Sequence, residues 1–319
     1  MITLSELIRQ ASGMRTSPKS LIELLNEVIG ILRDERLKED NRINGGVILP
    51  GDTRFLVLGD IHGDFDTLVK ILSKVDVIRF LDNRRGFLVF LGDYIDRGQN
   101  QIEAISLILL LKKYYANRVV VLRGNHEPPR ELPPYPHDFP YVLQVHYGNE
   151  AWSIYNKFME LFDELPYVAI AEKNILFLHG GPPVSTLKDN IDYREYLDLN
   201  SYPPRLSVLE EVLWNDPVEY IDYAEDSPRG AGKVFGPKVT SRVLEIVNVK
   251  AIIRGHEPAL EGYKLNHYGR VVTLFSRLGS PYFNIKAAYM LVDTRVPGWD
   301  NDLSEWIRQI SPDEEPEVS

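Results

Sequence analysis

The chain opens with apolar residues at helical spacing and then changes to short, almost continuous β-branched runs. Leu21, Leu24, Leu25, Val28 and Leu32 recur with the helical period, which predicts an amphipathic N-terminal helix packed on a larger body. Asn44-Gly45-Gly46 and Pro50-Gly51 end that region with turn chemistry. From there to about Asp293, apolar runs lead repeatedly into polar clusters: RFLVLGDIHG at 54–63, GFLVFLGDYIDRG at 86–98, RVVVLRGNHE at 118–127, NILFLHGG at 174–181 and KAIIRGHE at 250–257. Each predicts a buried strand followed by a functional turn. RVVTLFS at 270–276 and AAYMLVD at 287–293 predict two more strands. Between the first strands lie a Leu68, Ile71, Leu72, Val75 stripe and a strongly apolar helix over 102–115. Strands alternating with helices predict an α/β class built from βαβ units. The end, SPDEEPEVS, is acidic and broken by proline, which predicts disorder.

Composition narrows the chemistry. Within 319 residues the formal charge is −10, with a pI near 5.3, so broad binding to nucleic acid or to an anionic membrane is opposed by bulk repulsion. There is no cysteine, which excludes a thiolate nucleophile, an iron–sulfur cluster and cysteine-ligated zinc. The start lacks a cationic and apolar leader, and the most apolar stretch, 102–111, is about half a membrane span. The expected location is cytoplasmic.

In α/β sheets ligands collect beyond the carboxyl ends of strands. Five predicted strand ends carry Asp60 and His62, Asp93 and Asp96, Asn125 and His126, His179, and His256. Four of the seven histidines stand there, each near a glycine that lets the backbone approach closely. One such residue would be a cap or a satisfied polar group; the set is more than that. Carboxylates and imidazoles gathered in one pocket are electrostatically costly without a cation, and two divalent ions would offset the cost. The mixed oxygen and nitrogen donors suit Mn²⁺, Fe or Zn²⁺ better than Ca²⁺. No GxxxxGK[ST], GxGxxG or GxSxG string occurs, and His126-Glu127 and His256-Glu257 each run into proline, so neither is a helical zinc-protease motif.

The strings GDIHG (59–63), GDYIDRG (92–98), GNHE (124–127), HGG (179–181) and RGH (254–256), in that order, resemble the signature of the PPP serine/threonine protein phosphatases. LWNDP at 213–217, PRGAGKVFG at 228–236 and VVTLFS at 271–276 extend the resemblance to about Asp293. GDxHG and GNH alone are shared with the wider metallophosphoesterase class; GDYIDRG and GNHE resemble the protein phosphatase branch. The resemblance implies a central β-sandwich of mixed sheets flanked by helices. It implies a helical extension at 1–50, a catalytic domain at 51–295 and a C-terminal extension at 296–319. It further implies two divalent metal ions, Mn²⁺ in vitro and Fe or Zn in the cell. One would be held by Asp60, His62 and Asp93, the other by Asp93, Asn125, His179 and His256. Hydrolysis of a phosphate monoester would follow by direct attack of a hydroxide bridging the two ions, with His126 as general acid oriented by Asp96. Arg97 and Arg229 would bind the substrate phosphate, joined by Asn125 and Arg254; Arg254 could equally buttress the sheet end, and Asp216 could act in the site or cap a turn. Phosphorylated proteins or peptides are the implied substrates, with no nucleic acid and no membrane as partner. The length, without regulatory domains, suggests a prokaryotic, archaeal-type member. A nucleotide or dinucleoside polyphosphate hydrolase with the same metals is the alternative reading, and a scaffold without activity a third.

Two segments depart from the family pattern. The family's Asn-Tyr-Cys after the last active-site strand is replaced by FSRLGSPYFN at 275–284, where Tyr282 could supply the missing phenol. GNHE is followed by PPRELPPYPHDFP, with six prolines in residues 128–140. This predicts either a stiff wall beside the pocket that presents Tyr135, His137 and Phe139 as a contact surface, or a stiff surface connection that only reduces the entropy of the unfolded chain.

Overall fold

The computed structural model describes residues 2–37, 42–82 and 86–314. Two mixed sheets pack face to face. The five-stranded sheet runs in the order Ile307–Ile310, Ala287–Asp293, Arg54–Leu58, Gly86–Phe90, Val119–Val121, the last three parallel. The seven-stranded sheet runs Arg42–Ile43, Gly46–Leu49, Val168–Ala171, Ile175–Leu178, Ala251–Arg254, Val271–Leu274, Tyr263–Asn266. A three-stranded sheet of Asp216–Pro217, Lys233–Phe235 and Ala224–Asp226 stands apart.

The continuous apolar runs follow from burial on both faces. Phe55, Val57, Phe87 and Val89 point into the layer between the sheets, where they meet Ala169, Ile175, Phe177 and Ile253. Their neighbours Leu56, Leu58, Leu88 and Phe90 point the other way, into a core shared with the helices. On the far side, Val168, Ile170, Leu176 and Leu178 pack against helices Leu206–Trp214 and Pro237–Val247. With side chains alternating between faces, both sets must be apolar. The result is the α/β sandwich flanked by helices that the resemblance implied.

Helix Gln101–Tyr114 is apolar all round because it is enclosed all round. One side lies on the five-stranded sheet; helices Leu4–Met14 and Pro18–Leu37 cover another. Its charged residues are met by those helices: Arg15 lies 3.4 Å from Glu103, and buried Lys112 donates to Glu35 at 2.7 and 2.8 Å.

One expectation needs redrawing. The N-terminal region holds two helices, the first started by a capping box in which Thr3 and Glu6 satisfy each other's backbone N–H. Strand pairing also reaches beyond residues 51–295 on both sides. Gly46–Leu49 pairs with Val168–Ala171, and Ile307–Ile310 pairs with Ala287–Asp293, so both supposed extensions contribute strands to the sandwich. Four-residue strands next to turn residues carry too little periodicity to stand out. The disorder expected of the acidic end falls, from residue 315 on, outside the described residues.

Candidate active site

Strands Arg54–Leu58, Gly86–Phe90, Val119–Val121, Ile175–Leu178 and Ala251–Arg254 deliver their carboxyl ends to one rim. A single bridge from Asp60 to Phe275 joins the two sheets there. Turning sharply off each strand requires unusual backbone: His62, Asp93, Asp96, Arg97 and His256 all have positive φ, between 44° and 72°. Such conformations are uncommon for residues with a Cβ, and their clustering marks the rim as functional. Two glycines are there for close approach. A Cβ at Gly124 would lie 2.4 Å from Asp93 Oδ1, and one at Gly255 the same distance from Asp60 Oδ1.

Asp60, His62, Asp93, Asn125, His179 and His256 are all buried and brought together. His62 Nε2 lies 3.4 Å from Asp93 Oδ2 and 3.8 Å from Asp60 Oδ2; His179 Nε2 lies 3.3 Å from Asp93 Oδ1. Two groups of donors each converge within 4.8 Å, His62, Asp93 and His126 in one, Asp93, His179 and His256 in the other, with Asp93 common to both. Backbone carbonyls set the tautomers: Nδ1 of His62 bonds Ile95 O and Nδ1 of His179 bonds Leu91 O, each at 2.9 Å, leaving both Nε2 atoms facing the pocket.

The donor set fits divalent cations. Asp60 Oδ2 is buried without a hydrogen-bond partner among the described residues. Asn125 Oδ1 lies 2.9 Å from both His179 Nε2 and His256 Nδ1; turned over, its amide would donate to both rings and to Asp93, whereas a cation would be met by the oxygen. Burial, and then the charge of Asp93, push the Asp60 carboxyl up to about 7. Burial drives His62 down to about 3 and His256 well below the ordinary imidazole value, so both keep the neutral form that ligates metal.

His126 differs. Burial disfavours its charged form, but Asp93 and the hydrogen bond to Asp96 outweigh burial and hold the imidazole above its ordinary pKa. His126 Nδ1 donates to Asp96 Oδ2 at 2.5 Å. Asp96 is likewise pushed up by burial but held well below the carboxylate range by hydrogen bonds from His126 and His137.

Arg97 and Arg229 flank the pocket. Arg97 donates to the carbonyls of Pro136 and Tyr135 at 2.8 and 3.4 Å, and Arg229 Nε donates to Asp216 Oδ2 at 2.6 Å. Arg254 has no exposed surface. Its nitrogens are spent on Gly180 O, Glu257, Thr273, Asn215 O and Asp216. All five N–H groups of Arg254 are thus met within the protein, the arrangement a buttress of the sheet end would show. Asp216 sits buried between the two arginines, with Oδ1 3.9 Å from His256 Nε2. Tyr282 does reach the pocket: its ring stacks on His62 at 5.5 Å and its hydroxyl lies 3.3 Å from His62 Nε2.

Three residues take places that the sequence alone does not give them. His137 was expected to face outward; it turns in, with Nδ1 2.7 Å from Asp96 Oδ2. Phe139, expected in the same surface, is fully buried and edge-on to Phe158 at 4.8 Å, because helix Phe139–Tyr147 starts there; only Tyr135, 94% exposed, faces solvent. Glu127 lies within GNHE but was given no role. Its carboxylate accepts the N–H groups of Asp93, Tyr94 and Gly124 at 2.8, 2.8 and 3.0 Å, fixing the turn that carries Asp93. Glu127→Ala is expected to cost roughly 3 kcal/mol or more, since each orphaned buried donor costs about 1–3 kcal/mol. Denaturant unfolding checks this; a loss below about 1 kcal/mol would show the turn holds without it.

The sandwich thus gathers buried carboxylates and imidazoles around a shared aspartate, beside a His–Asp pair. Residues 53–260 match the calcineurin-like phosphoesterase family, and the chain belongs to that family. It is 34% identical over 276 residues, 86% of its length, to an Encephalitozoon cuniculi protein named as a probable serine/threonine-protein phosphatase. The chain spans 56% of that relative's length. A Saccharomyces cerevisiae protein serine/threonine phosphatase, described as similar to human phosphatase PP5, superposes with a TM-score of 0.72 at 23% identity, over 94% of this chain and 92% of the other. A cold-active protein-tyrosine phosphatase of a psychrophilic Shewanella follows with a TM-score of 0.54 at 16% identity, over 80% and 79%. At these identities the two structures speak for the fold alone.

Proposed function

We propose that the chain is a metal-dependent protein serine/threonine phosphatase that hydrolyses phosphate monoesters. The observation that carries this reading is the pair of donor groups sharing Asp93 next to the His126–Asp96 dyad. Asp60, His62 and Asp93 would hold one divalent cation, and Asp93, Asn125, His179 and His256 a second. When bound, such a pair supplies Lewis acidity and a hydroxide nucleophile at neutral pH, so that no phosphoenzyme is required.

The chain's own groups do the rest. His126 Nδ1 is committed to Asp96, so Nε2 is the atom that can carry a proton to the leaving oxygen as its bond to phosphorus breaks. Asp96 fixes that tautomer and stabilises the imidazolium. Asp216 aims Arg229, and the carbonyls at 135 and 136 aim Arg97, so two planar cations can meet phosphate oxygens. Burial pushes the Tyr282 phenol up to about 12, which keeps it a donor beside His62.

Substrate class is tested by assaying the metal-loaded protein on phosphoserine, phosphothreonine and phosphotyrosine peptides beside a dinucleoside polyphosphate. Turnover of the phosphoserine and phosphothreonine peptides is expected; preferential cleavage of the dinucleoside polyphosphate would overturn the reading. Arg97→Ala and Arg229→Ala are each expected to lower kcat/KM by about 10–100-fold, the value of one charge-assisted hydrogen bond. The split between KM and kcat then separates ground-state binding from contacts made only in the transition state. Unchanged kcat/KM in the double variant, at normal metal content, would remove both from the phosphate site.

A further inference from the structure

We propose that His137, backed by Tyr155, is a positioning residue that acts on leaving-group protonation through Asp96. The inference rests on the phosphatase reading and on the geometry around Asp96. That carboxylate is fully buried and accepts four hydrogen bonds. Oδ2 is shared by His126 Nδ1 at 2.5 Å and His137 Nδ1 at 2.7 Å, and Oδ1 takes the backbone N–H groups of Asp138 and Phe139 at 2.9 and 2.8 Å. Three of the four donors thus come from consecutive residues 137–139. An ionised carboxylate only accepts, so Nδ1 is the protonated atom of both rings. His137 Nε2 is closed off by the Tyr155 hydroxyl at 2.9 Å, with ring centroids 5.8 Å apart.

The same segment reaches Arg97 from the other side. Carbonyls of Tyr135 and Pro136 accept from its guanidinium, and Asp138 Oδ1 accepts its backbone N–H at 3.0 Å. Gln101 closes the bracket, donating to Asp138 Oδ2 at 2.8 Å while its oxygen accepts the Asp96 N–H at 3.0 Å. A carboxylate held by His126 and two amides could still pivot about its Cβ–Cγ bond. The second imidazole on Oδ2 opposes that motion and fixes the plane in which His126 presents Nε2. Because the contact acts through His126, its loss should be felt most where the leaving group needs a proton.

The test compares a phosphoserine peptide, whose alkoxide must be protonated, with p-nitrophenyl phosphate, whose leaving group needs little help. His137→Ala is expected to lower kcat on the peptide by roughly 10-fold or more, the usual size of an orienting contact. The loss on the aryl ester should stay below about 3-fold, with metal content unchanged. His137→Asn, whose amide nitrogen can occupy the Nδ1 position, should recover most of the loss, and Tyr155→Phe should show a weaker version of the same split. In a His126→Asn background His137→Ala should add almost nothing. Equal losses on both esters, or an undiminished effect in that background, would overturn the proposal. So would a normal split for His126→Asn with none for His137→Ala, while the phosphatase reading stood. A wild-type protein that turns over neither ester would overturn both. Should His137→Ala fail to fold, Tyr155→Phe still decides the matter, since the absence of any split between the two esters in that variant would exclude a positioning role.

Discussion

His126→Asn is expected to slow hydrolysis of alkyl phosphates by about 10²–10⁴-fold, the usual range for a lost general acid, and that of aryl phosphates by much less. Asparagine retains a donor toward Asp96 but has no ionisable atom on the far side. The imidazole's pKa is held above its ordinary value by Asp93 and Asp96 against the opposing effect of burial, a shift in the direction that favours the protonated form a general acid needs. Steady-state rates on a phosphoserine peptide and on p-nitrophenyl phosphate provide the measurement. Equal losses on the two would mean that His126 binds or braces and does not protonate.

The second large effect is expected at Asp93. Both of its oxygens face imidazoles, His62 on one side and His179 on the other, and Oδ1 also accepts the His126 N–H at 2.9 Å. Asp93→Asn removes the only carboxylate common to both donor groups, and the rate should fall by about 10³-fold or more, corresponding to several kcal/mol of lost charge stabilisation. Chelation should abolish activity in the wild type, and Mn²⁺ should restore it. Metal analysis of wild type and variant checks the cause: a fall in bound metal together with rate is expected. Full turnover by demonstrably metal-free protein would remove the mechanism.

The donor set was legible because each residue stands directly after a strand whose apolar run is unmistakable, and because the topology sends those strands to one rim. His62, Asp93 and His256 could be placed on that rim without knowledge of side-chain packing. Arg254 shows the limit: its place before Gly-His was visible, but only the structure reveals that Asp216, Asn215 and Gly180 absorb its donors. His137 was misread for a related reason. A histidine in a proline-rich stretch looks exposed, and nothing local indicates that the chain folds back 41 residues to meet Asp96. The first helix was missed although Thr3-Leu4-Ser5-Glu6 fits the capping pattern, since its apolar stripe is short. Short strands at 46–49 and 307–310 are defined by the partners they pair with, and sequence alone does not name partners.

The helix Gln101–Tyr114 carries a consequence for how far this chain can be shortened. A catalytic core cut at residue 51 would retain every residue of the rim yet strip two helices from a rod whose other side is already committed to the sheet. Lys112, almost without solvent contact, would lose the Glu35 carboxylate it donates to and keep only the carbonyls of Ala116 and Val119 among these partners. Leucine and isoleucine side chains along the rod would be wetted at the same time, on a scale comparable to the whole folding free energy of an ordinary domain. The N-terminal helices are therefore the outer wall of the phosphoesterase core itself. Trimmed of them, the remaining chain would present a sticky apolar seam and be prone to self-association.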